Sequence, residues 1–391
     1  MSESKPHLGI DIRSSINQSM MMSIPIGEFE HQVREAPQVY NLTLGPAEKC
    51  SDRENYYRYP IFQDGVAKSY HRYSEFDQLR TTLIATYPGY CFPVLPDKEG
   101  LSSYWSAHSD EFIRYRRHGL EQFLQYCAKH PVIRKTDYFI AFLEDNEYAF
   151  AVKTKMMQSE GGIFNYFSEW SSSIVNSVTK YVYGAPTGVA LSQEDQQLNT
   201  EMNQVCELQE RTEKYCEDGR NLIGKMQAEA DSNFALSKAY ENLARVESEG
   251  LSKQLKVLAE GHHNICRLIR ENHIEMSNLF GEQLESALRI TRGAVEAFER
   301  RQQHAEKLLQ EKANLNKHGY VDGSILSAKI GEYEGRLQTI TDQLKSDLSG
   351  FYTLRERVLN QVAAEYVNLN LKLAKQVEEV WKEVQQSIHN C

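Results

Sequence analysis

No proline occurs from Ser192 to Cys391, and apolar residues recur through that stretch at a single period. The last stripe runs from Leu326, Ile330, Tyr333, Leu337 and Ile340 through Leu344, Leu348 and Phe351 to Val377, Val380, Val384 and Ile388. Its seventeen steps cover 62 residues, about 3.65 residues each, close to the period of an α-helix. A strict 3.5-residue repeat would force a left-handed supercoil, and this one does not. The pattern predicts one gently bent helix of roughly 95 Å at 1.5 Å per residue. Two earlier stripes, Leu198–Met226 and Leu255–Leu308, read the same way. Asn316–Ser324 separates the last two helices, with Ser324 suited to cap the final one. Between the first two, Asp231-Ser232-Asn233 is the expected break and Glu249-Gly250 its competitor. Three such helices cannot bury their stripes alone. They predict an antiparallel three-helix bundle, and their length suggests a dimer.

The first half differs in character. Residues 38–44, 54–62 and 67–73 are short, rich in Tyr, Val, Leu and Ile, and bounded by Gly, Pro, Asp and Asn. They predict a three-stranded antiparallel sheet, with helices following at about 74–87, 109–130 and 131–143. Residues 1–25 are polar, and disorder is expected there. Residues 161–183 place Ile163, Phe167, Trp170, Ile174, Val178 and Tyr181 on one helical face, with serines and Asn176 on the other. That combination fits an amphipathic helix lying in a membrane interface.

Composition excludes several classes. The net charge of −10 argues against nucleic acid as a partner and against indiscriminate adhesion to anionic lipid. The seven cysteines are scattered, without metal-ligand spacing, as in a reducing cytosol. There is no apolar run of membrane-spanning length and no apolar N-terminal stretch, so neither a transmembrane helix nor a signal peptide is expected. No nucleophile elbow, phosphate-binding glycine loop or metal cluster is visible. The expectation is therefore a non-enzymatic chain without cofactor or metal. His262-His263 do not alter it, because adjacent residues do not share a helix face.

Three segments carry binding chemistry: His71-Arg72-Tyr73-Ser74-Glu75-Phe76, Phe92-Pro93-Val94-Leu95-Pro96-Asp97-Lys98, and Arg116-Arg117-His118-Gly119-Leu120-Glu121-Gln122-Phe123-Leu124. A guanidinium can grip a phosphate with two parallel donors, and a lysine supplies a point charge for a second. In this order the segments resemble the phox-homology (PX) domain over about residues 25 to 145. The resemblance implies that Arg72 holds a 3-phosphate and Tyr73 underlies the inositol ring. It places Lys98 on the 1-phosphate and Arg116 on the 4- and 5-hydroxyls. His71 stands where the family more often has Arg. Leu101, Tyr104 and Trp105 lie on the adjoining loop and would enter the bilayer beside a bound headgroup.

A PX-like domain followed by three long helices resembles the sorting nexins with a C-terminal BAR domain. The expected fold is therefore an α+β PX domain (26–148), an amphipathic linker helix (161–183) and an all-α BAR-like bundle (192–391). The resemblance implies a curvature-sensing or tubulating protein that binds phosphatidylinositol 3-phosphate on the cytosolic face of early endosomes. It would act as a homodimer, or as a heterodimer with another nexin, with coat or cargo proteins as further partners. The alternative is a lipid-targeted coiled-coil adaptor that recruits partners without bending membranes. Phe167 and Trp170 are the expected insertion residues of the linker helix. Arg289, Arg292, Arg300, Arg301, Lys307, Lys312 and Lys317 approach the last break, where basic side chains could touch anionic lipid.

Overall fold

The computed structural model describes residues 40–50, 56–96, 110–144, 192–317 and 323–390, all within one compact unit, Arg34–Cys391. Lys98, Leu101, Tyr104, Trp105, the 161–183 segment with Phe167 and Trp170, and residues 1–25 lie outside the described residues.

The sheet has four strands rather than three: β1 (Leu42–Leu44), β2 (Glu48–Cys50), β3 (Tyr56–Gln63) and β4 (Val66–Arg72). β3 is central. β1 and β2 pair in turn along one of its edges and β4 along the other, all antiparallel. β2 escapes a sequence reading because Glu-Lys-Cys is polar and only three residues long. The β3–β4 hairpin closes on Asp64 and Gly65, both at positive φ (51° and 81°), the conformation that two-residue hairpins require.

α1 (Tyr73–Thr86), α2 (Asp110–Lys129), a 3₁₀ turn (Ile133–Lys135) and α3 (Asp137–Glu144) cover the sheet. The core between them is aromatic. Phe76, Phe92, Phe123, Phe139 and Phe142 are all fully buried there, with Ile61, Leu79 and Leu83 between the rings.

The second half forms α4 (Gln193–Ala244), α5 (Glu249–Asn278), a π-helical segment (Leu279–Leu284), α6 (Glu285–Lys317) and α7 (Gly323–His389). The final stripe does form one continuous helix of 67 residues. It starts at Gly323, so Ser324 lies within its first turn and is not the residue before it.

The first break falls at 245–248, immediately before the competing site Glu249-Gly250, and Asp231-Ser232-Asn233 sit inside α4. These polar residues find local partners that keep the helix intact. Ser232 Oγ donates to the Ala228 carbonyl (2.8 Å), Asn233 Nδ2 donates to that of Glu229 (3.0 Å), and Asp231 accepts from Arg270 of α5 (3.0 Å). The π segment was not foreseen. Phe280 within it packs on Gly219, where a Cβ would come within 2.4 Å of the ring. Leu198, Phe298, Leu344 and Phe351 fill one layer of the bundle, and Leu279, Leu284, Leu288 and Val362 another.

Candidate functional site

The site begins at the β4–α1 junction. Arg72 has extended backbone (φ −82°, ψ 160°), and α1 starts at the next residue. The Glu75 side chain reaches back to accept from the Arg72 amide (2.9 Å). It also pairs with His71 Nδ1 (3.1 Å). His71 is fully buried, and its Nε2 lies 2.6 Å from the Phe142 carbonyl while its ring stacks on Phe142 at 3.9 Å. Burial pushes the Glu75 carboxyl up, but the hydrogen bonds from His71 and the Arg72 amide outweigh it and hold the group below the usual carboxylate range. His71 is thus a structural pin between β4, α1 and α3. That explains why this position does not need an arginine.

The pin leaves the Arg72 guanidinium half exposed at the start of a 14-residue helix, 5.2 Å over the Tyr56 ring and 3.8 Å from Glu75. A helix start offers unsatisfied amides and a partial positive charge, so it suits an anion.

Tyr73 donates its hydroxyl to the Pro96 carbonyl (2.5 Å), which ties α1 to the proline loop. Arg116 of α2 lies over two rings, Tyr73 at 4.7 Å and Phe112 at 4.3 Å. Its guanidinium also sits beside the Tyr59 phenol. Burial raises that phenol, and Arg116 opposes the rise. Gly119 has a steric reason: a Cβ there would come 2.2 Å from the Pro96 ring. The structure therefore joins Arg72, Tyr73 and Arg116 to one short stretch of surface, with Pro96 as the joint between α1 and α2. Two positive groups and an aromatic face at a helix start can hold a phosphorylated ring. Phe112 and Tyr56 belong to this arrangement and were missed, because no charge marks them. Arg72 ends β4, Tyr73 to Glu75 open α1, and Arg116 to Gly119 lie within α2.

Three of the seven basic residues that approach the last break are a correction. Arg289, Arg300 and Arg301 are buried, not displayed to a lipid surface. Arg300 donates to the carbonyls of Pro88 (2.7 Å) and Tyr90 (2.9 Å), and Arg289 to Gln122 (3.0 Å). Arg301 donates to Thr341 (2.9 Å) and Asp195 (2.5 Å). Arg292 and Lys312 pair with Glu213 (3.0 Å) and Glu334 (2.7 Å).

Arg289 and Arg300 instead join the bundle to the sheet-containing half of the chain. Asp347 of α7 completes the joint, accepting from the Cys91 amide (2.7 Å) and the Tyr126 hydroxyl (2.7 Å), with His130 Nε2 at 3.3 Å. Arg114 of α2 reaches Glu282 (2.7 Å) and Asn278 (2.9 Å) at the π segment. One signal could have revealed this joint: Arg289, Gly293, Glu296 and Arg300 share a helix face, with a glycine among the charges. His262 is likewise structural, with Nδ1 3.0 Å from Asn233 Oδ1 and its ring stacked on Tyr240.

Comparison with known proteins is consistent with this division. The PX domain family matches residues 59–146. Sorting nexin-1 of Mus musculus is 22% identical over 390 residues, covering 90% of this chain and 73% of that protein. Sorting nexin-4 of Eremothecium gossypii is 22% identical over 316 residues, covering 76% and 72%. Sorting nexin C1711.11 of Schizosaccharomyces pombe is 36% identical over 102 residues; the match spans about a quarter of each protein, 26%. Among solved structures, the SNX-BAR Mvp1 tetramer superposes with a TM-score of 0.59 at 14% identity, covering 88% of this chain and 99% of that one.

Proposed function

The chain is a sorting nexin of the PX-BAR type, and on that premise we propose that it reads phosphatidylinositol 3-phosphate on endosomal membranes and bends them as a dimer. The observation that carries this reading is the half-exposed Arg72 guanidinium at the start of α1, beside the Tyr73–Arg116 stack. Arg72 takes the 3-phosphate, Tyr73 lies under the ring, and Arg116 meets its distal hydroxyls. Lys98, two residues beyond Pro96 in sequence, takes the 1-phosphate. Leu101, Tyr104 and Trp105 enter the bilayer next to it. No described helix is long and apolar enough to cross a membrane, so attachment rests on this site, on the 161–183 segment and on the bundle.

The dimer is supported by apolar side chains left uncovered on the bundle. Leu243, Val246, Leu251, Val367, Leu371 and Trp381 are all exposed, on α4, the 245–248 turn, α5 and α7. Val367 and Leu371, one helical turn apart on α7, are each more than half exposed and form one apolar face. The partner is a second copy or another nexin. Two pockets per dimer multiply affinity on one surface and offset the net charge of −10.

Vesicle sedimentation tests the headgroup assignment. Wild type should pellet with vesicles carrying phosphatidylinositol 3-phosphate in preference to other phosphoinositides. Arg72→Ala should lose roughly tenfold or more, the value of a charge-assisted phosphate contact. A folded Arg72→Ala that pellets like wild type would remove the pocket.

A further inference from the structure

Residues 88–96 connect α1 to the lipid site without a helix or strand of their own, and α6 of the bundle holds them at several points. Arg300, 2% exposed, donates Nε to the Pro88 carbonyl (2.7 Å) and Nη2 to that of Tyr90 (2.9 Å). The Val94 amide donates to the Arg289 carbonyl (3.1 Å). Arg80 of α1 donates to the carbonyls of Phe92 (3.2 Å) and Pro93 (2.9 Å), and Glu296 of the bundle fixes that same guanidinium at 2.6 Å. Gly293 lets the backbones meet: a Cβ there would lie 2.1 Å from the Phe92 carbonyl oxygen and 2.6 Å from its carbon. The segment ends at Pro96, whose carbonyl holds the Tyr73 hydroxyl and whose ring lies against Gly119, three residues along α2 from Arg116.

We propose that Gly293, Glu296 and Arg300 are positioning residues of the lipid site. They set the height of residues 88–96 over α6, and through Pro96 they set the Tyr73 ring and the Arg116 guanidinium stacked on it. The inference rests on the phosphoinositide reading of the pocket. Its consequence is that headgroup affinity belongs to the joined unit: a displacement of α6 against the loop changes the grip on a single lipid, apart from any avidity. Grip on a charged ring depends on placement, since paired donors lose strength steeply with misalignment.

The test uses the full chain and a water-soluble, short-chain phosphatidylinositol 3-phosphate, titrated by calorimetry so that membrane avidity plays no part. Gly293→Ala places a methyl group against backbone, which cannot rotate away. Alanine is also the better helix former, so α6 is not weakened by propensity. Affinity should fall roughly tenfold, the scale of one lost charge-assisted contact, with helical circular dichroism unchanged. Gly331→Ala in α7, where an added Cβ meets nothing within 4 Å, should bind as wild type.

Glu296→Ala is the second arm. It frees Arg80 and should weaken binding, whereas Glu296→Gln keeps an acceptor and should restore most of it. That rescue separates positioning from general loosening, and the pair decides the matter if Gly293→Ala does not fold. Wild-type affinity in both Gly293→Ala and Glu296→Ala would overturn the inference while leaving the pocket standing. A wild-type chain that binds no soluble phosphoinositide would overturn the pocket and this inference with it.

Discussion

Replacing Asp347 by alanine should loosen the joint between the sheet-containing half and the bundle. The carboxylate is 7% exposed and meets the Cys91 amide at 2.7 Å, the Tyr126 hydroxyl at 2.7 Å and His130 Nε2 at 3.3 Å. Each buried donor left without an acceptor costs about 1–3 kcal/mol. The three losses do not add fully, because removing the acid also removes its own desolvation cost, so the net loss stays within about 3–5 kcal/mol. That range is the expectation for Asp347→Ala.

Urea denaturation would give the stability change. Hydrogen exchange would place it, with faster exchange across residues 88–96 and unchanged exchange in the α5 region around Ile265. A wild-type midpoint together with wild-type exchange over residues 88–96 would refute the reasoning.

The pH dependence of this contribution has a definite sign. Burial pushes the Asp347 carboxyl up, but the hydrogen bonds from His130 and Tyr126 hold it below its ordinary 3.8. A depressed acid stabilises the fold above its unfolded-state value and loses that contribution as pH falls through the folded one. The gap between wild type and variant should therefore be the same at neutral and mildly acidic pH. It should close only below about pH 4.

Two further perturbations separate the layers of the bundle from its uncovered surface. Leu344 is fully buried among Leu198, Phe298 and Phe351, so Leu344→Asp should cost more than about 4 kcal/mol and unfold this layer, as circular dichroism would show; a wild-type melting curve would contradict the packing. Leu371 and Trp381 are more than a third exposed in the single chain, so Leu371→Glu with Trp381→Glu should leave the fold intact yet shift sedimentation from dimer to monomer, and an unchanged dimer would move the interface elsewhere.

What the sequence shows depends on how locally each feature is determined. α7 is legible because seventeen apolar steps leave no other period. Arg72, Tyr73, Arg116 and Gly119 are legible because each does something few residue types can do. The α4–α5 break is only half legible: the competing site, Glu249-Gly250, opens α5 directly after it, but the expected site is not a break. Asp231, Ser232 and Asn233 look like punctuation, yet their side chains are satisfied within the helix and by Arg270, while the true break, Arg245-Val246-Glu247-Ser248, contains neither Gly nor Pro. Arg289, Arg300 and Arg301 are ambiguous in sequence for a related reason. A guanidinium that grips backbone carbonyls looks the same in sequence as one that faces lipid, and only the tertiary placement of residues 88–96 distinguishes them. β2 is too short and polar to show an apolar alternation, although its partner β3 follows within ten residues, and the π segment depends on Gly219, about sixty residues away, so local pattern carries no trace of either.

The central claim is that one chain both reads the headgroup and reshapes the membrane. Negative-stain microscopy of vesicles with and without phosphatidylinositol 3-phosphate tests it most directly. Wild type should draw vesicles containing the lipid into tubules and leave vesicles without it round. Phe167→Glu with Trp170→Glu should bind the lipid-bearing vesicles but tubulate them less. Vesicles that are coated by wild type yet stay spherical would contradict the account and leave a lipid-targeted adaptor in its place.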